Sequence, residues 1–160
     1  MGDIIQEIID RLKSLNEFNF VTIWNNQFQY MQDGSIYSFP MPCALVEVQT
    51  NDTQSIGGYV QGSDITIVIH IGQDYYNGSN MDENFNIFQL RDIVVKSISH
   101  FKSTKSSIFV KVSEDQDFEH SNVYHYKLTY KTQWIDETAK ALEYYTTGTT
   151  GIDTAITITH

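Results

Sequence analysis

Five histidines, His70, His100, His120, His125 and His160, are the side chains best suited to acid–base or metal chemistry. None stands in an HExxH or CxxC…H arrangement, the spacings that bring ligands onto one side of a metal. His120 and His125 are five positions apart across an expected turn, a poor separation for sharing a zinc ion. His70 falls on a strand face opposite four isoleucines, where a half-exposed position is expected. No GxSxG elbow is present. The pairs Gly57–Gly58 and Gly148–Gly151 lack the lysine and helix of a phosphate-binding loop. Asp74, Asn77, Asn80, Asp82 and Glu83 do not follow the calcium-loop spacing and read as turn and cap residues. Carboxylates are plentiful, so an acid–base pair hidden by the fold stays open. The residue pattern itself points to no catalysis, no metal and no cofactor.

The single cysteine, Cys43, leaves no intramolecular disulfide framework. It stands beside Pro42 at the head of an apolar run, which predicts a packed thiol and not a reactive one. Ten basic residues face twenty acidic ones, for a net charge of −10. That balance argues against gripping duplex DNA, because phosphate binding needs clustered Lys and Arg. An acidic surface keeps a protein soluble, and it also repels a polyanion passing close by. The opening MGDIIQEIIDRLKS has no basic leader and does not read as a signal peptide, and Gly2 lacks the Ser or Thr of a myristoylation pattern. No stretch is apolar for the roughly 18 residues a membrane helix needs, so no membrane partner is expected.

At 160 residues and 41% hydrophobic, the chain is one domain plus attachments, long enough to close a core. Ile4, Ile5, Ile8, Ile9, Leu12 and Leu15 recur at helical spacing, with Asp3 as a possible cap and Asn16 as a stop. Residues 18–24 read as a short strand, and residues 25–41 as a loop with about one helical turn. Ala44, Val46 and Val48 alternate as in a strand. Residues 50–63 carry Asn51, Asp52, Gly57, Gly58 and Gly62 and read as a long hairpin excursion, not a tight turn. Ile65, Ile67, Ile69 and Ile71 then share one strand face.

A second helix is expected to run to Phe101 from a capping box of Asn80 and Glu83, with Ile87, Leu90, Val94 and Ile98 as its core stripe. Ile108, Val110 and Val112 open another strand, followed by an acidic turn of Glu114, Asp115, Asp117 and Glu119. Residues 123–134 place Tyr124, Tyr126, Leu128, Tyr130, Thr132 and Trp134 on one face and His125, Lys127, Thr129, Lys131 and Gln133 on the other. After Asp136 the composition changes to TTGTTG and a closing ITIT stretch. The expected fold class is therefore α+β, with a mixed, mostly antiparallel sheet, an N-terminal amphipathic helix and one long helix across the sheet. Residues 1–136 form the domain and residues 137–160 a C-terminal extension.

This order of elements resembles the phage tail-completion family, the tail terminators and head–tail joining proteins. The resemblance rests on the opening helix, the proline-led strand Phe39-Pro40-Met41-Pro42-Cys43-Ala44-Leu45-Val46, the strand Ile65 to Ile71, the single crossing helix and the long strand Tyr124 to Tyr130 ending near Asp136. It covers roughly residues 1–136 and is a pattern of elements, without a signature motif. It implies a homo-oligomeric ring, commonly a hexamer, built into the virion after assembly in the host cytoplasm. Its partners would be adjacent tail-tube and connector proteins, with genomic DNA passing through the channel without specific binding.

Within that reading, Ile56, Gly57, Gly58 and Tyr59 are a loop that reaches a neighbouring subunit. Ile152, Ile156 and Ile158 belong to an arm that adds a strand to a neighbour. Glu114, Asp115, Asp117 and Glu119 form an acidic patch facing the channel. Two other classes compete: a small ligand-binding or enzymatic α+β domain, and an adaptor that docks a protein partner through a sheet edge.

Overall fold

In the computed structural model, residues 1–34, 38–75, 78–119 and 123–138 are described. Helix α1 spans Gly2–Lys13 and buries Ile4, Ile8, Ile9 and Leu12. It starts two residues earlier than it would with Asp3 as its cap. Met1 holds the cap position without a side-chain bond, and Asp3 lies in the first turn, where a negative charge suits the helix dipole. The helix ends at Ser14, and Asn16 follows in the left-handed region at φ 57°.

Strand β1 is Phe20–Ile23, and α2 is Gln27–Gln32, a short helix within the expected loop. Strands β2 (Cys43–Gly57) and β3 (Val60–Asp74) form a hairpin of two 15-residue arms. A 3₁₀ segment, Gly78–Phe85, leads into α3, Asn86–Ile98. Phe85 holds the cap position of α3 with no side-chain cap, so the expected box of Asn80 and Glu83 does not start the helix. Strand β4 is Val110–Asp117 and β5 is Val123–Asp136.

The five strands lie in the order β1-β2-β3-β5-β4. Only β1 and β2 run parallel, and the other three pairings are antiparallel. The α+β class, the mixed sheet and the crossing helix are thus as the residue pattern requires. Both α1 and α3 lie on one face, where Val46, Ile65, Ile67, Ile69, Ile71, Leu128 and Tyr130 meet Ile8, Leu12, Ile87, Val94 and Ile98. Burying each such aliphatic side chain contributes roughly 1.5–3 kcal/mol. Arg11 ties the two helices: its Nε donates to the Ser97 carbonyl at 2.7 Å, and its guanidinium lies 4.7 Å from the Phe101 ring centre.

The other face carries a smaller core at one end only, made of Phe28, Cys43, Leu45 and Val123 with Trp24, Met31, Phe39 and Met41 packed around it. Gly72 makes room for it. A Cβ there would stand 2.5 Å from the Phe28 ring and 2.9 Å from Cys43 Sγ. Gly72→Ala is expected to cost about 1–3 kcal/mol by overpacking, read as a lower urea midpoint.

Residues 50–63 are not an excursion. The two arms stay paired to the tip, where Gly57 meets Val60 across Gly58 and Tyr59. Both of those residues have positive φ, 57° and 60°, the two-residue turn whose twist matches the flanking strands. An irregularity between Thr50 and Thr53 takes up Asn51 and Asp52, the residues that read as loop formers.

Candidate functional site

The β2–β3 hairpin sets the first candidate surface. Along β2, everything from Gln49 to Gly57 is exposed, and at the tip Ile56 is 63% and Tyr59 56% exposed. Strand β5 pairs with β3 as far as Gln61, so the tip stands only slightly beyond the sheet. Beside it lies a cavity of about 450 Å³ lined by Ile56, Lys102, Ser106, Trp134 and Ile135, among others. Strand β4 edges the sheet with Val110 and Val112 each about half exposed, next to Ile108. The tip residues Ile56, Gly57, Gly58 and Tyr59 are thus an exposed apolar turn. Ile152, Ile156 and Ile158 lie outside the described residues.

The acidic residues behave differently from the sequence expectation. Glu114, Asp115 and Asp117 sit within β4, not in a turn, and only Glu119 follows the strand. Strand alternation therefore splits them between two faces. Glu114 pairs with Leu128 in register and faces the helices, where Arg91 donates to both its oxygens at 2.7 and 2.8 Å and Lys111 donates at 2.7 Å. Burial alone would raise the Glu114 carboxyl, but the Lys111 and Arg91 bonds outweigh it and hold its pKa below the usual value.

A carboxyl depressed in the folded state stabilises the fold above its unfolded pKa and loses that contribution as pH falls through its folded value. Glu114→Gln should therefore cost about 0.5–1 kcal/mol at pH 7, since the group is partly exposed, and almost nothing well below pH ~4. Urea unfolding at the two pH values reads this.

Asp115 and Asp117 face the other side, where Lys127 Nζ lies 3.2 Å from each. Asp117 opposes His125 in register, and its Oδ2 is 3.5 Å from His125 Nδ1. His125 Nε2 is 3.0 Å from His70 Nδ1, and His70 Nε2 is 3.0 Å from Glu47 Oε2. Four strands thus align Glu47, His70, His125 and Asp117 in one row. Glu47 and His70 are diagonal neighbours across β2 and β3, as are His70 and His125 across β3 and β5.

Both rings are buried, His70 to 4% and His125 to 1% exposure. That corrects the half-exposed position expected for His70. The reason is Trp24, whose ring stacks on His70 at 4.0 Å and 6° between planes, while Phe28 meets His125 edge-on at 4.7 Å. Burial lowers the His70 pKa, partly offset by its bond to Glu47. For Asp117, burial raises the pKa, and the Glu119 N–H and Lys127 bonds overcome it and bring it below the usual value.

Fifty-five residues separate the two rings in sequence, and their meeting depends on β5 lying beside β3. The one signal available was that both occupy polar-face positions of strong strands. Cys43 is buried as expected, its thiol pushed up to about 12 by burial, and so unsuited to nucleophilic work.

Among the described residues, no group of three or more His, Cys, Asp or Glu is placed to hold a metal ion. No described helix is long and apolar enough to cross a membrane. A scan against protein-family models finds no match to the chain. A search of the curated proteins finds no match either.

Proposed function

We propose that the chain is a structural subunit of a phage particle, closing into a ring of like copies where the tail meets the head-side connector. In this reading the ring, a hexamer in the family the sequence resembles, caps the tail tube, docks on connector and tube proteins, and lets genomic DNA pass without binding it. The work is mechanical, and no catalytic step is assigned.

The observation that carries the reading is the long β2–β3 hairpin with apolar side chains bared at its tip. Each arm of 15 residues lies in the sheet for most of its length and ends in a two-residue turn just past it, so the reach is that of the turn. Ile56 and Tyr59 at the end of such an arm gain by insertion against another molecule. A hairpin on one side of a subunit docking on a different surface of the next is a heterologous contact, the kind that closes rings. The bared β4 edge, with Val110 and Val112, offers a receiving surface of the same character. In the proposed C-terminal arm, Ile152, Ile156 and Ile158 would meet a neighbouring subunit, with residues 156–159 adding a strand to it.

The net charge of −10 favours a channel that repels phosphate. Within the acidic patch, Asp115 and Glu119 are the members left facing away from the helices and most open to solvent. Glu114 is already neutralised by Arg91 and Lys111 and contributes little. Electron microscopy of the concentrated protein tests the reading. Closed rings with a central hole support it, and a field of single compact particles counts against it.

A further inference from the structure

We propose that the row Glu47–His70–His125–Asp117 is an acid-sensitive clasp that holds the Trp24 ring against the open face of the sheet. The inference stands on the ring geometry alone and is independent of the assembly reading above.

The physical constraint lies in the contact between the two imidazoles. His70 Nδ1 and His125 Nε2 face each other at 3.0 Å, so one must donate and the other accept. With His70 Nε2 donating to Glu47, its Nδ1 is the acceptor and His125 Nε2 the donor. The pair can take one further proton, at His125 Nδ1, where it faces the Asp117 carboxylate. A second further proton has nowhere to go except the shared contact. There it sets two N–H groups head to head, and the rings must part.

The surroundings set how much charge the row tolerates. From β2 the only charge facing it is Glu47, from β4 Asp115 and Asp117, from the following loop Glu119, and from β5 Lys127. Gln49 and Thr129 are neutral neighbours. The segment after β1 contributes Trp24, stacked on His70, and the neutral Asn26, and α2 contributes Phe28, edge-on to His125. These rings shut out water, so although Glu47 still faces His70 Nε2, the new N–H at the shared contact is left without an acceptor. Parting of the rings therefore removes the platform on which Trp24 stacks. Trp24 is also held by its backbone N–H to the Val46 carbonyl at 2.9 Å and by its edge-on contact with Phe28 at 5.3 Å, so the change is confined to its ring and does not unpair β1 from β2.

The direction of the pH effect follows. A histidine whose folded pKa is depressed keeps its full stabilising contribution above its unfolded value, 6.5 for His70, and loses it as pH falls below that value toward the folded one. The clasp is closed at neutral pH and opens in acid.

The test is NMR of the full chain labelled with ¹⁵N-histidine and ¹⁵N-tryptophan, titrated from about pH 8 to pH 4. Three results are expected together. The His70 and His125 nitrogens shift in linked steps, the second proton enters below pH 6.5, and the Trp24 indole resonance moves with that second step. Rings that titrate independently near 6.5, or a Trp24 resonance that stays fixed while both rings become charged, would overturn the proposal. His125→Gln provides the control, because its amide supplies no titrating ring. Its Trp24 resonance should then lose the acid step. A persisting step in that variant also overturns the proposal, and if the variant does not fold, the wild-type titration decides.

Discussion

Ile69→Ala lowers the free energy of unfolding by about 2–5 kcal/mol, against a total of roughly 5–15 kcal/mol for a domain of this kind. Ile69 is fully buried in the middle of β3, flanked in register by Val46 on β2 and Leu128 on β5. Ile69 and both neighbours belong to the core under α1 and α3, where the backbone of a five-stranded sheet cannot collapse onto a deleted side chain. The cost therefore includes both lost transfer free energy and a residual cavity. Val112→Ala on the edge strand removes apolar atoms from a position about half exposed, and should stay within about 0.5 kcal/mol. Urea titrations of the two variants measure the contrast. Equal losses would mean that the helices do not cover this face of the sheet.

On the proposed ring assembly, replacing Ile56 and Tyr59 together by Asp is expected to leave the fold intact and to weaken self-association by a factor of about 100 or more. The two side chains are exposed at the hairpin tip, so the isolated subunit loses little when they are changed. In an interface, each apolar side chain of this size is worth roughly 1.5–3 kcal/mol when buried, and tenfold in affinity corresponds to about 1.4 kcal/mol. The new carboxylates also add repulsion in a chain already at −10. Asp replaces Tyr59 without new backbone strain, because Asp tolerates the left-handed conformation that Tyr59 occupies at φ 60°. Sedimentation velocity over a concentration series, with urea unfolding alongside, separates the two effects. Association equal to that of the parent chain would remove the hairpin from the interface.

The layout of the domain was readable because the strong strands alternate and the helices carry single apolar stripes. The four isoleucines from Ile65 to Ile71 fix the inward face of β3, and Leu128, Tyr130 and Trp134 fix that of β5. What failed is local and has physical causes. Asn, Asp and Gly in residues 50–63 have high turn propensity, yet pairing along a long hairpin overrides it and two irregularities, at Thr50–Thr53 and Ser55–Gly57, absorb the surplus. The acidic run after Val112 reads as a turn because it is charged, but its members alternate between Arg91 and Lys111 on one face and Lys127 on the other.

The histidine row was invisible because its members come from four strands whose lateral order the chain does not state. Once β5 is placed between β3 and β4, His70, His125 and Asp117 become neighbours. Trp24, from a segment with weak secondary-structure signals, then buries what would otherwise be a surface histidine.

Native mass spectrometry of the full-length chain at micromolar concentration weighs the assembly directly. The account predicts a single closed oligomer at an integer multiple of 18.4 kDa, six copies if the family resemblance extends to stoichiometry. A lone 18.4 kDa species that persists as the concentration is raised would contradict it.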